Sequence, residues 1–453
     1  MCGLAELLHN MGAKVTGSDI AENANVVRLR DLGLQISIGH NAVNIGNAEV
    51  VVYSSAVKSD NPEFREARKL KVPLIPRAEA LAEMMRIKRG LAIGGSHGKT
   101  TTTSLAASIF LEAGVKPTIV VGGRLDLIKS TALLGEGQWL VAEADESDGS
   151  FLKLSPEIVV ITNIDNDHLD HYGNIENLKR AYYDFAMKIP FYGLAIVCGD
   201  DPLVREVFAD FPKRIIFYGF DQANDLRLEG EKGSYAVYSE GKLLGDFKMQ
   251  VPGRHNALNA CAALASGLEA GFAFATCARG LAQFEGVDRR FQHKGTIKKS
   301  GAGASSAGAS DIDIYDDYGH HPTEVRAVLQ AFREKFPDRR LVTVFQPHRY
   351  SRTQLCWSDF TECFKNTDLL YICDIYAAGE KPIAGITTEN LCAEIKNAQA
   401  VHLKGDSAVD GKAIGCTERA GIIAKAMKSG DIVVTLGAGD VWKLGMELLK
   451  GSV

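Results

Sequence analysis

The run that most restricts the fold is Gly90–Leu105, "GLAIGGSHGKTTTTSL". A short apolar strand enters a glycine-rich turn, and a hydroxyl-rich helix leaves it. A lysine following a glycine at such a turn is where backbone N–H groups and an ammonium meet phosphate oxygens, and the next hydroxyl can hold a magnesium ion. The common spacing, G-x-x-x-x-G-K-[ST], would put a glycine at position 93, which is Ile93. The glycines are Gly94, Gly95 and Gly98, so this loop is one residue tighter. The candidate cradle comprises Gly94, Gly95, Ser96, His97, Gly98, Lys99, Thr100 and Thr101. The plainer reading is a glycine turn beside a solvated lysine. The strand before it, the helix after it and the hydroxyl run Thr100–Ser104 weigh against that.

A strand–turn–helix unit of this kind requires a parallel sheet with crossover helices, and the rest of the chain agrees. Apolar, β-branched runs alternate with helical patterns throughout, which indicates an α/β fold. The 453 residues are too many for one core. The first segment, residues 1–87, opens with "CGLAELLHNMGAKVTGSD", a helix, a glycine stop and a strand. "NAEVVVYSSAV" reads as a second strand ending in hydroxyls. Ligands in such folds lie at the carboxyl ends of strands, here Ser18, Asp19, Ser54 and Ser55. A doubly wound nucleotide-binding domain would open with a strand and a glycine-rich turn, whereas this sequence opens in a helix. The second segment, residues 88–293, carries the phosphate loop and runs to "FEGVDRRFQ". The third, residues 294–453, begins with the small-residue insertion "SGAGASSAGAS", expected to be a surface loop.

With 46% hydrophobic and 24% charged residues the composition is that of an ordinary globular protein. A formal net charge of −5 argues against nucleic acid or an anionic membrane as the main partner. The nine cysteines include no C-x-x-C pair, which fits buried thiols in a reducing compartment better than disulfides or zinc. No run approaches the roughly 20 apolar residues of a membrane span, and the start lacks the pattern of a signal peptide. The expected location is cytoplasmic, with a monomer or homodimer as the working state.

Two strand ends offer partners for a phosphate-bound metal. Glu143 in "VAEADESDGS" ends an apolar run beside Asp145, Glu146 and Asp148, and His168 follows another in "NIDNDHLDHYG". Spacing does not separate Glu143 from Asp145, and any one acid could be a solvated loop residue. A guanine-nucleotide switch would need N-K-x-D, but "TNID" has Ile164 where the lysine belongs. In the third segment "DDYGHHP" places Asp317, Tyr318, His320 and His321 at one strand end. "QPHRYSRT" places His348, Arg349 and Arg352 at another. With a helix starting near Ser351, both arginines could face one carboxylate. Surface arginines beside core aromatics remain the bland alternative.

Together, "GGSHGKTTTTSL", "AEADESDGSFLKLSPEIVVITNIDNDHLDHYG", "PGRHNALNACAALA", "FEGVDRRFQ", "YDDYGHHPTEVRA" and "QPHRYSRTQ" resemble the Mur ligase family over nearly the whole chain. That family uses the shorter G-x-x-x-G-K-T loop. The resemblance implies three modules: an N-terminal Rossmann-like UDP-binding domain, a central P-loop ATPase and a C-terminal Rossmann-like domain. It implies amide formation through an acyl phosphate, with ATP and Mg²⁺ as cofactors and UDP-N-acetylmuramate and L-alanine as substrates. Carried over residue by residue, Lys99 meets the ATP phosphates, and Thr100, Glu143 and His168 hold magnesium. His255, Asn256 and Asn259 line the nucleotide pocket, with Arg290 and Asp317 reaching it. The catalytic set is Lys99, Glu143, His168, Asn256, Arg290 and Asp317. Tyr318, His320, Arg349 and Arg352 hold the amino acid, and Ser18, Asp19, Ser54 and Ser55 the UDP-sugar. The family opens with a strand and a turn, roughly G-I-G-G-x-G-M, and Met1 aligns with its last residue. The UDP-binding part is therefore expected to lack its first strand and glycine-rich turn. Two alternatives stay open: a recycling ligase that attaches a whole murein peptide, and a nucleotide-binding protein without catalysis.

Overall fold

The structure is a computed structural model that describes residues 1–54, 57–125, 128, 130–298, 311–405 and 415–451. Ser55 and the small-residue insertion lie outside the described residues. The chain divides into two compact units. The first comprises residues 1–230, 234–249 and 258–285, and the second residues 231–233, 250–257 and 286–453.

The first unit is organised by a ten-stranded sheet. Its middle is a set of parallel strands whose residues face apolar neighbours on both sides, so the sequence runs read as continuous rather than alternating. Arg89–Gly94 lies between Ile158–Ile161 on one side and Trp139–Glu143 on the other, parallel to both. From Arg89–Gly94 the chain crosses over through the helix Lys99–Glu112 to the strand Thr118–Leu125, which pairs with the far side of Trp139–Glu143. Later strands, Ile158–Ile161 and Leu194–Cys198, build outward in the opposite direction. The carboxyl end of Arg89–Gly94 is thus the point where strand order reverses, the place where such sheets bind ligands. The phosphate-loop sequence sits there.

Packing around this sheet is aromatic and aliphatic. Phe151, Tyr182, Phe185 and Phe208 are fully buried in a cluster that also takes Leu4 and Leu7 from the helix Cys2–Asn10 and Met84 and Met85 from Arg77–Arg86. The N-terminal segment is therefore anchored into the same core as the central one. Its strands form two separate parallel pairs, Thr16–Asp19 with Gln35–Ile38 and Val51–Tyr53 with Leu74–Pro76.

The second unit is a six-stranded sheet in the order Gln292–Ile297, Ile312–Asp317, Ile432–Leu436, Leu341–Phe345, Leu369–Cys373, Ala400–Leu403. The first pair is antiparallel and the rest are parallel. Side chains alternate between two apolar layers, as period-2 geometry demands: Phe345, Ile372 and Val434 join Phe332 and Phe364, while Ile314, Val344 and Val433 join Leu444 and Leu448. The helix Pro322–Lys335 begins with a capping box. His321 accepts from the backbone, and Glu324 reaches back to the N-cap.

Candidate active site

The phosphate-loop helix starts at Lys99 with Gly98 as its N-cap, and no side chain caps it. The first N–H groups of a helix have no partner inside it, and the helix dipole adds positive character at that end. Gly98 has φ +82°, and a Cβ there would lie 2.6 Å from the Oδ1 of Asn259, so only glycine fits. This brings Asn259, read from "PGRHNALNA", against the loop.

The loop is fastened to the neighbouring strand end. The side chain of Asn163 accepts a hydrogen bond from the His97 N–H at 2.8 Å and donates one to the His97 carbonyl at 3.0 Å. The Asn163 carbonyl accepts from the Ser96 N–H at 3.1 Å. Thr162 Oγ1 donates to His97 O at 2.6 Å, and the His97 ring meets Asp165 Oδ2 at 2.8 Å. "TNID", lacking the guanine-reading lysine, serves here as a splint for the loop.

Lys99 Nζ donates to the carbonyls of Gly95 and Ser96 at 2.7 and 3.0 Å and to Glu146 Oε1 at 2.8 Å. Glu146 is 1% exposed, and its second oxygen has no hydrogen-bond partner. Burial pushes its carboxyl up to about 7, against the pull of Lys99. Burial opposes the charge on Lys99 as well, but Glu146, Glu143 and Asp145 together outweigh it, so the ammonium is held above its ordinary range. His168, with φ +57°, lies 3.5 Å from the same Glu146 oxygen. The sequence grouped Glu146 with three other acids and gave it no role. Its burial was the missing information, since "ADES" alone does not say which acid turns inward.

Thr100 Oγ1 donates to Glu143 Oε1 at 3.0 Å, and the other Glu143 oxygen accepts from the Gly122 N–H at 2.6 Å. Asp145 instead accepts from the Ser147 N–H, closing a local turn. A hydroxyl and a carboxylate side by side are the hard oxygen donors a magnesium ion takes. Thr100 and Glu143 fit such an ion, while His168 meets Glu146 and Asp167, at 3.5 and 3.6 Å.

In the second unit Asp317 is 3% exposed and accepts from the N–H groups of Phe291 and Gly319, each at 2.7 Å. Burial raises its carboxyl to about 6 while nearby Arg290 pulls it down. Arg290 pairs with Glu324 at 3.3 Å and lies over the Tyr318 ring. Arg289, which the sequence reading passed over, bonds Asp316 at 2.9 Å and the carbonyls of Gly437 and Gly439. Burial and Arg290 push His255 down to about 4, and Asn256 donates to Pro252 O at 2.7 Å.

Tyr318 and His320 rings are 5.4 Å apart, and His320 and His348 rings 5.8 Å. Arg352 Nη1 lies 3.3 Å from His348 Nδ1. The helix begins at Tyr350 rather than Ser351, and Arg349 is its N-cap with φ +70°. Arg349 therefore stands outside the helix, and its relation to Arg352 is set by a left-handed turn, not by helical spacing.

In the N-terminal segment Ser18 Oγ donates to Glu63 Oε2 at 2.8 Å and lies 3.0 Å from His40 Nδ1. Asp19 receives the Asn23 amide at 3.4 Å. Ser54 directly follows the strand Val51–Tyr53, so Ser18, Asp19 and Ser54 all stand at strand carboxyl ends. No helix among the described residues is long and apolar enough to cross a membrane.

The chain matches the Mur ligase family's catalytic domain over residues 1–89, the Mur ligase middle domain over 93–267 and the Mur ligase glutamate ligase domain over 305–439. It belongs to the Mur ligase family. A UDP-N-acetylmuramate–L-alanine ligase of Bdellovibrio bacteriovorus is 60% identical over 456 residues, covering 99% of this chain and 96% of the relative. The enzyme of the same name from Geotalea uraniireducens is 48% identical and covers 100% of the chain and 96% of the relative. Among solved structures, the UDP-N-acetylmuramate–alanine ligase of Thermotoga maritima superposes with a TM-score of 0.78 at 27% identity, covering 100% of this chain and 96% of that one. A murein peptide ligase from Psychrobacter arcticus shares the fold, with a TM-score of 0.69 at 20% identity over 99% of this chain and 96% of that one. This Mur ligase thus has the three-part α/β architecture of its family.

Proposed function

We propose that the protein joins L-alanine to UDP-N-acetylmuramate at the expense of ATP, in the assembly of peptidoglycan precursors. The observation that carries this is likeness, over the full length, to enzymes that bear that activity in their names. The carboxylate of the muramyl group attacks the γ-phosphorus of ATP, and ADP leaves. The amine of L-alanine then attacks the acyl carbon, an amine proton is lost, and phosphate departs as the amide forms. Phosphorylation supplies the leaving group that a bare carboxylate lacks.

Within this reading Lys99 moves from Glu146 to the transferring phosphoryl group, whose charge it offsets. The N–H groups at the start of the helix Lys99–Glu112 receive phosphate oxygens. Thr100, Glu143 and His168 would hold magnesium, which offsets phosphate charge when bound. His255, Asn256, Asn259, Arg290 and Asp317 serve the nucleotide, and Tyr318, His320, Arg349 and Arg352 the amino acid. At neutral pH His255 is uncharged, so it offers a neutral hydrogen-bonding ring to the nucleotide. Ser18, Asp19 and Ser54, with Ser55, serve the UDP-sugar. We take residues 1–87, 88–293 and 294–453 as the three substrate modules, working in the cytoplasm where these substrates are made.

The test is phosphate release with ATP, magnesium and UDP-N-acetylmuramate, adding single amino acids or a murein peptide. Release that depends on L-alanine supports the proposal. Release only with the peptide would point to a recycling ligase, and none at all to nucleotide binding without catalysis.

A further inference from the structure

One residue beside the Arg352–His348 pair has no role in the reading above. Tyr376 lies just beyond the strand Leu369–Cys373, at the carboxyl edge of a parallel sheet. Its ring stacks on that of His348, with centroids 5.4 Å apart and 9° between planes. Its backbone is fixed on both sides: its N–H donates to Pro347 O at 2.8 Å, and its carbonyl accepts from the Arg349 N–H at 2.8 Å. Gly439 backs the ring closely: a Cβ there would lie 2.3 Å from Gln346 Oε1 and 2.9 Å from Tyr376 Cγ. The loop's far end is pinned too, since Glu380 accepts from the Ser351 N–H at 3.0 Å and from its hydroxyl at 2.6 Å.

The two facing turns are both strained. Arg349 has φ +70° and Ala378 φ +48°, a region that non-glycine residues avoid. Such strain collects where a chain is held to clamp a ligand. In spite of all this fixation Tyr376 is 41% exposed. An aromatic ring immobilised at its backbone and its back, yet open in front, is suited to be the rigid wall of a small pocket.

We propose that Tyr376 determines specificity for the side chain of the amino-acid substrate, restricting it to about the size of a methyl group. This rests on the assignment of Arg349 and Arg352 to the amino acid. An arginine at this strand end suits the substrate carboxylate. An amino acid so held has to fit its side chain against the neighbouring His348–Tyr376 stack, and a wall that cannot move excludes larger groups by volume.

The test compares kcat/KM for L-alanine, L-2-aminobutyrate and L-valine, by phosphate release, in the wild type, Tyr376→Phe and Tyr376→Ala. The KM for ATP is measured alongside. For Tyr376→Ala the ratio of L-2-aminobutyrate to L-alanine should rise about tenfold, the discrimination one methylene commands, with the ATP KM unchanged. Tyr376→Phe, which keeps the ring, should retain the wild-type ratio. Tyr376→Leu, which removes the ring but keeps more apolar bulk than alanine, should show a smaller rise in the same ratio, and it decides the matter if the alanine variant fails to fold. Side-chain ratios that stay at wild-type values while wild-type turnover with L-alanine is intact overturn this inference alone. A wild type that turns over no single amino acid overturns the ligase reading and this inference with it.

Discussion

Lys99 and Glu146 form an ion pair of 2.8 Å in which the carboxylate is 1% exposed. The lysine of the phosphate loop is thus folded back onto its own protein, with both loop carbonyls and a buried acid as placeholders for phosphate oxygens. Lys99→Ala should lower L-alanine-dependent phosphate release by about a thousandfold or more, the scale on which a group stabilising transition-state charge acts. Calorimetric affinity for UDP-N-acetylmuramate should be unchanged. Turnover near that of the wild type would remove Lys99 from the phosphate site.

Glu146 also makes stability depend on pH. Its folded carboxyl, at about 7, is above its ordinary value of 4.5. The folded state therefore holds a proton that the unfolded state releases. This contribution is fully present below the unfolded value and is lost as pH rises through about 7. A shift of that size corresponds to at most about 3 kcal/mol. For Glu146→Gln, Tm relative to wild type should be more favourable at pH 8 than at pH 5. Thermal unfolding at the two pH values checks this, and an equal difference at both would show that Glu146 does not titrate there.

Gly98→Ala combines a disfavoured φ with a collision at Asn259. It should weaken ATP binding at least tenfold and lower stability by about 1–3 kcal/mol. The KM for ATP and a urea titration read the two effects separately.

Thr100→Val keeps the shape of the side chain but removes the hydroxyl that meets Glu143. The magnesium concentration giving half-maximal phosphate release should rise several-fold, with the KM for L-alanine unaltered. An unchanged magnesium dependence would leave Thr100 as a purely structural partner of Glu143.

Arg352→Ala should raise the KM for L-alanine about tenfold or more, in line with a lost charge-assisted hydrogen bond, and spare that for ATP. A KM for L-alanine that stays put would exclude Arg352 from the amino-acid site.

Much of the architecture was legible because strand and helix periodicity is a local signal. "GLAIGG", "WLVAE" and "IVVI" are strands because their apolar β-branched runs can be satisfied only between two covered faces. The strand, turn and helix around Lys99 were legible from the motif. The roles inside the acidic cluster were not, since the sequence does not say which way the chain turns after Glu143. Asp145 spends its carboxylate on the Ser147 N–H, whereas Glu146 turns into the core. The helix expected to start near Ser351 starts at Tyr350, and the positive φ of Arg349 before it has no sequence signature in a residue with a long side chain. Tyr376 escaped notice because an aromatic after a strand reads as core until its exposure is known. The capping pair His321 and Glu324 was hard to find, since the usual pattern has serine or threonine at the N-cap position.

The fastening of the loop by Asn163 would set how a nucleotide binds there. With both backbone groups of His97 engaged by the Asn163 side chain and the Ser96 N–H by the Asn163 carbonyl, the loop is held in shape by the strand next to it. Little conformational entropy is left there for a nucleotide to remove. Affinity at this loop should therefore respond more to the phosphate's charge than to loop ordering, and Asn163→Ala should convert a preorganised cradle into one that must be assembled by its ligand.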